Sequence, residues 1–109
     1  MTNTEANDAA VVLCTCANEQ QAAALAHALV DEHLAACVNV LPAVQSIYRW
    51  QGAIEAAQEH LLLVKTTRER FTALKDRITQ LHAYDTPEII ALPIVDGSEK
   101  YLAWLRGQL

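Results

Sequence analysis

Apolar and polar positions alternate between two periods along this chain, and the places where the period changes divide it into elements. Ala9 to Cys16, AAVVLCTC, is a short Val-rich apolar run bounded by polar residues, which predicts a buried strand. Asn18 is placed to cap a helix over Glu19 to His33, in which Ala22, Leu25, Ala26, Leu29 and Val30 share one face. From Cys37 the pattern becomes strand-like through Trp50, turns at Gln51-Gly52, and returns as a third strand ending at Thr67. Pro42 cannot donate to a ladder and predicts a bend or bulge in the second strand. Thr66-x-x-Glu69 matches a capping box, and Phe71, Leu74, Ile78 and Leu81 then recur at helical spacing. Pro87 to Val95 reads as a fourth strand with a proline near each end, suited to a sheet edge. Asp96-Gly97 turns the chain, and Ser98 caps a last helix in which Tyr101, Leu102 and Leu105 share a face.

The order β-α-β-β-α-β plus a C-terminal helix predicts an α+β, ferredoxin-like split βαβ arrangement, with both crossover helices on one face of an antiparallel sheet. The second face of that sheet needs another cover. The ribbon from Cys37 to Trp50 is also too long for its domain: at about 3.3 Å per residue it reaches roughly 45 Å, against a radius of gyration near 13 Å for about 100 residues. Part of it must project, carrying Val44, Ile47, Tyr48, Trp50 and Ile54. A second copy of the same chain is the simplest cover for these side chains, so the pattern predicts a homo-oligomer.

Composition narrows the picture. With 109 residues and 52% apolar content, inflated by nineteen alanines, the chain suits one domain over 9–109 behind a flexible N-terminal segment over 1–8. A formal net charge of -5 argues against a nucleic-acid binder, which needs clustered Lys and Arg. A cationic partner is easier to accommodate. The polar start lacks a signal-like apolar region and no stretch approaches the roughly 20 apolar residues of a membrane span, so a cytoplasmic protein without membrane partners is expected.

Three cysteines, at 14, 16 and 37, cannot form a fully paired disulfide framework and make no C-x-x-C pair, so reduced thiols are expected. Cys14 and Cys16 lie two apart on a strand and point to one face. They are either two soft donors for an ion such as Cu(I) or two small hydrophobes in a packed strand. His82, just past the apolar stripe of the second helix, reads from the residues as a solvated or capping histidine. His27, His33 and His60 read as surface or incidental residues. No G-x-S-x-G, Gly-rich phosphate loop or H-E-x-x-H is present, and CTCANEQ after the first strand has no glycine or arginine to hold a phosphate, so no enzyme is expected.

Six strings in order, VLCT (12–15), AACVN (35–39), YRWQG (48–52), LLVKTT (62–67), HAYDTPEIIALP (82–93) and YLAWL (101–105), resemble the CutA divalent-cation tolerance family, small cytoplasmic proteins related in architecture to the PII signalling trimers. The resemblance implies a homotrimer whose protomers pack their open sheet faces around a threefold axis. It also implies tolerance of copper and other divalent cations, and copper binding at a strand cysteine and a histidine pair. Carried over by position, the cysteine is Cys14 and the second histidine is His82. The first histidine falls on Leu81, which has no donor atom. Trp50, Lys65, Tyr84 and Glu88 lie in the matching strings, and the trimer implied by the resemblance could gather them in intersubunit clefts. There a PII-like module would bind a small molecule or protein, the alternative to a metal-binding role.

Overall fold

A computed structural model describes residues 8–109. The segment expected to be flexible, 1–8, lies outside the described residues except for Asp8, whose carbonyl accepts a 2.8 Å hydrogen bond from the Arg68 N–H. The elements run β1 (Ala9–Cys16), α1 (Glu19–Asp31), β2 (Cys37–Trp50), β3 (Ala53–Thr67), α2 (Arg68–Leu81), β4 (Ile90–Pro93) and α3 (Glu99–Gly107). One sheet takes the strand order β2-β3-β1-β4, with every neighbouring pair antiparallel. This is the expected split βαβ arrangement.

Side-chain alternation divides the sheet into two faces. Val12, Cys14 and Cys16 of β1 and Leu62 and Val64 of β3 join Leu25 and Leu29 of α1 and Leu74 and Ile78 of α2 in one buried core. Tightly packed residues of this kind anchor the crossover helices over the sheet. On the opposite face α3 packs against β3 and buries Leu102 and Leu105. That face is therefore not wholly open, as the element order alone suggested. Tyr101, grouped with the two leucines by periodicity, remains exposed.

Beyond this core the β2-β3 hairpin runs out as a bare ribbon. The molecule measures 51 × 25 × 22 Å, and the long axis comes from strands that outrun β1, which ends opposite His60 while β3 begins seven residues earlier at Ala53. Gln51 and Gly52 both take positive φ, 49° and 82°, as a two-residue type I′ turn requires. The register shifts between Leu41 and Val44, and Ala43 sits at φ 58°, so Pro42 does mark a bulge. Ile47 and Ile54 near the tip are about 70% exposed (69% and 71%), far above what a core position shows.

Several boundaries differ from the pattern-based expectation for physical reasons. The helix expected to reach His33 stops at Asp31, because His33 adopts the left-handed φ of 60° and the Leu34 N–H folds back to the Leu29 carbonyl. Val30 accordingly faces solvent instead of the core. β4 spans four residues rather than nine, ending where Pro93 pairs with Ala10 at the sheet edge. The capping box is absent: Thr66 belongs to β3 and its hydroxyl donates to the Leu34 carbonyl at 2.7 Å, while Thr67 occupies the N-cap without a side-chain bond. Leu81, last in the α2 stripe, is exposed and Phe71 is half-buried. The caps read at Asn18 and Ser98 are present, their side chains accepting from the Gln21 and Tyr101 N–H groups.

These packing differences fix an expected contrast in stability. Leu74→Ala removes a side chain with no exposed surface and is expected to destabilise by about 3 kcal/mol, whereas exposed Val30→Ala should stay within about 0.5 kcal/mol. Urea unfolding followed by circular dichroism checks both; equal losses would contradict the core described above.

Candidate functional site

The C-terminal end of β1 brings two of the chain's three cysteines together with a histidine. Strand alternation sends Cys14 and Cys16 to the helix face, and α2 ends at Leu81 so that His82 lies over the same end of the strand. The ligating atoms of Cys14, Cys16 and His82 all lie within 4.8 Å of one another, the two cysteines buried and the histidine half-buried. The cysteines are packed core residues, and their sulfurs face a histidine. Cys37, on the other sheet face with Lys65, is remote from this group in register.

The two thiols act on each other. A hydrogen bond with Cys16, reinforced by burial, pushes the Cys14 thiol above its ordinary range, and the same bond lowers Cys16. Two thiols and an imidazole in a mostly apolar setting form a donor set suited to a soft ion such as Cu(I), better than to a hard oxygen-seeking one. That donor chemistry fits the copper implied by the resemblance, with Cys16 added to Cys14.

His82 is the C-cap of α2, its N–H donating to the Ile78 carbonyl at 2.8 Å, and its ring is half-buried instead of solvated. The Tyr84 N–H can only donate, so His82 Nδ1 accepts from it at 3.0 Å; the Thr15 carbonyl can only accept, so Nε2–H donates to it at 2.7 Å. The partners assign the Nε2–H tautomer. Cys16 Sγ lies 3.8 Å from the same nitrogen. The ring thereby ties the turn after α2 to the last residues of β1.

Of the residues expected in a cleft, Tyr84 and Glu88 lie near this end of β1. Glu88 is close enough to raise Cys14 electrostatically, and Tyr84 Oη donates to Glu59 Oε2 at 2.7 Å. Burial first, then the bond to Glu59, holds the Tyr84 phenol above its usual range. Lys65 sits elsewhere, beside Cys37 and hydrogen-bonded to Asn39 Oδ1, and Trp50 is at the hairpin tip opposite Ala53. Along β3 the positions of Ala53, Glu59 and Lys65 span roughly 40 Å at strand spacing, so one protomer does not bring Trp50, Lys65 and Tyr84 together.

Two residues escaped the sequence reading. Glu59 is buried although it sits in an apparently exposed ribbon, because Tyr84 arrives from a loop 25 residues later. His60, read as incidental, pairs directly with Cys16 across the β1-β3 ladder and is half-buried, with its Nδ1 enclosed and without a hydrogen-bond partner among the described residues. The alternation of HLLLV in register with VLCTC is the signal that could have found it. A cavity of about 340 Å³ between α1 and the end of α2 reaches Cys16 and His82 and is lined also by Leu25, Ala28 and Leu81.

Among the described residues no helix is long and apolar enough to cross a membrane. The model of the family described as CutA1 divalent ion tolerance protein matches residues 10–108. The divalent-cation tolerance protein CutA of Thermus thermophilus is 56% identical over 96 residues, covering 88% of this chain and 93% of that protein. A chloroplastic CutA protein of Arabidopsis thaliana is 44% identical over 97 residues, 89% of this chain; the chain spans about half of that protein's length, 53%. The crystal structure of CutA1 from Oryza sativa superposes with a TM-score of 0.92 at 39% identity, covering 95% of each chain. A family match of this extent, carried on the split βαβ sheet with its long hairpin, shows that the chain belongs to the CutA1 divalent ion tolerance family.

Proposed function

We propose that this protein supports tolerance of copper and related divalent cations as a cytoplasmic homotrimer, binding copper at the end of β1 through Cys14 and Cys16 with His82 alongside. The observation that carries the reading is the convergence of three ligating atoms within 4.8 Å in a chain of the divalent ion tolerance family. The role proposed is binding: His82 Nε2–H is bonded to the Thr15 carbonyl and is not free to take a proton from Cys16. Copper is the cargo, and thiolate sulfur supplies the selectivity for its soft, reduced form.

The exposed apolar residues support the trimer. Ile47, Trp50 and Ile54 on the ribbon, Ile90 and Leu92 on the β4 edge and Trp104 on α3 are all exposed in the single protomer. The sheet order leaves β2 and β4 as unpaired edges, which invite pairing with another chain. A second reading, a PII-like module that takes a small molecule or protein in intersubunit clefts, draws on the buried Glu59 and its Tyr84 partner. A buried carboxylate held by a phenol is a polar anchor of the kind ligand clefts use.

Light scattering coupled to size exclusion is expected to give about three times the 12.0 kDa chain mass at micromolar concentration. A persistent monomer contradicts the assembly. Replacing the segment 48–54 by a short turn should lower the oligomer mass or the melting temperature while helix content is kept.

Competition against a Cu(I) chelator under reducing conditions tests the metal reading. Cys14→Ser and Cys16→Ser should each weaken binding at least tenfold, about 1.4 kcal/mol, while Cys37→Ser on the opposite face leaves it unchanged. Ligation requires deprotonated sulfur, so affinity should fall as pH falls. Equal affinity in all four proteins would favour the cleft-binding module.

A further inference from the structure

His82 faces the thiols with its proton on the wrong nitrogen for holding an ion. Nε2, the ring nitrogen 3.8 Å from Cys16 Sγ, carries the hydrogen and donates it to the Thr15 carbonyl at 2.7 Å, while Nδ1 accepts from the Tyr84 N–H at 3.0 Å. A neutral imidazole that ligates through Nε2 must carry its proton on Nδ1, and that N–H then needs an acceptor. What stands there is another donor, the Tyr84 N–H. Uptake of an ion through Nε2 therefore removes the Thr15 bond and sets two N–H groups against each other, with no change in the charge of the ring. Neither contact survives it.

Both contacts belong to one segment. Residues 82–89 join α2 to β4 and are held down by three ties: His82 to Thr15, Tyr84 to His82, and Tyr84 Oη to the buried Glu59 at 2.7 Å. The rings of His82 and Tyr84 lie 4.7 Å apart, so a displacement of Tyr84 that separates the two N–H groups moves one ring against the other. At the far end Ile89 packs on the core and Ile90 pairs with Leu13, which confines the movement to the residues before them. Asp85, Thr86 and Glu88, all exposed, ride on the part that moves.

We propose that residues 82–88 form a latch that metal uptake opens: it is closed by His82 and Tyr84 as described, and released when His82 exchanges its backbone partners for an ion shared with Cys14 and Cys16. This inference rests on the reading that the donor group binds a soft ion, and adds that occupancy is displayed at the surface as a change in the loop. Coupling of this kind is reciprocal. The ties that close the latch oppose uptake, so loosening the loop tightens binding and binding loosens the loop. Tyr84 is a positioning residue: its bond to Glu59 holds the N–H against Nδ1 and keeps the imidazole in the tautomer that cannot ligate through Nε2.

The test uses the full chain and Cu(I) under anaerobic conditions, with uptake measured by competition against a chromophoric chelator. In protein labelled with 15N, the His82 ring resonances should show the proton on Nε2 without the metal and on Nδ1 with it. The Tyr84 amide should exchange with solvent at least tenfold faster once Cu(I) is bound, while the amides of Val12 and Val64 in the β1-β3 ladder do not speed up. Tyr84→Phe, which removes only the tie to Glu59, should bind Cu(I) at least threefold more tightly; circular dichroism checks that it is folded, and the measurements on the unaltered protein stand without it. If Cu(I) binds while His82 keeps its proton on Nε2 and the Tyr84 amide stays protected, the latch is overturned and the metal reading stands. Unchanged or weaker binding by folded Tyr84→Phe overturns the latch as well. If the unaltered protein takes up no Cu(I), both fall.

Discussion

Everything distinctive in this molecule depends on how β1 is seated on β3. The ladder runs in unbroken antiparallel register from Ala9 opposite Thr67 to Cys16 opposite His60, and a shift of one residue would turn every side chain to the other face. With this register Val12, Cys14 and Cys16 join the core beneath α1 and α2, and the two thiols fall beside each other and beside a histidine. The same seating ends β1 seven residues short of the start of β3. That shortfall is what leaves the hairpin without sheet partners.

The two consequences occupy opposite sides of the same strand end. Toward the core, the interaction between the thiols pushes Cys14 above its ordinary range and lowers Cys16, and His82 closes over them through backbone contacts with Thr15 and Tyr84. Away from it, the hairpin presents Ile47, Trp50 and Ile54 to solvent on a ribbon that a single protomer cannot cover. In the proposed trimer a neighbour covers that apolar surface, so assembly and metal binding draw on the same register. The buried Glu59 sits at the junction, where the covered part of β3 gives way to the projecting part.

Local chemistry was legible in the sequence and long-range pairing was not. Asn18 and Ser98 cap because their side chains reach their own helix's N–H groups, and Gln51-Gly52 turns because two consecutive residues accept positive φ. Pro42 was read as a bulge from the missing N–H alone. Thr66 misled because its hydroxyl is taken by Leu34, 32 residues earlier, which no capping motif can anticipate. The end of α1 was missed because His33 takes a left-handed conformation usual for glycine, with its ring Nδ1 lying 3.0 Å from the Gln108 carbonyl near the other end of the chain. Within the site, strand alternation placed Cys14 and Cys16 on one face from spacing alone, and the resemblance brought in His82. His60 shows only in the alternation of HLLLV once β3 is set in register with β1, and Glu59 depends on a loop contact that leaves no local trace.

X-ray absorption at the copper edge of the Cu(I)-loaded, untagged protein tests the central claim most directly, because it reads the atoms that the β1-β3 register places around the ion. Two sulfur scatterers and one imidazole nitrogen are expected, with one sulfur lost in the Cys16→Ser protein. A first shell of nitrogen and oxygen alone, unchanged by that substitution, would contradict the account.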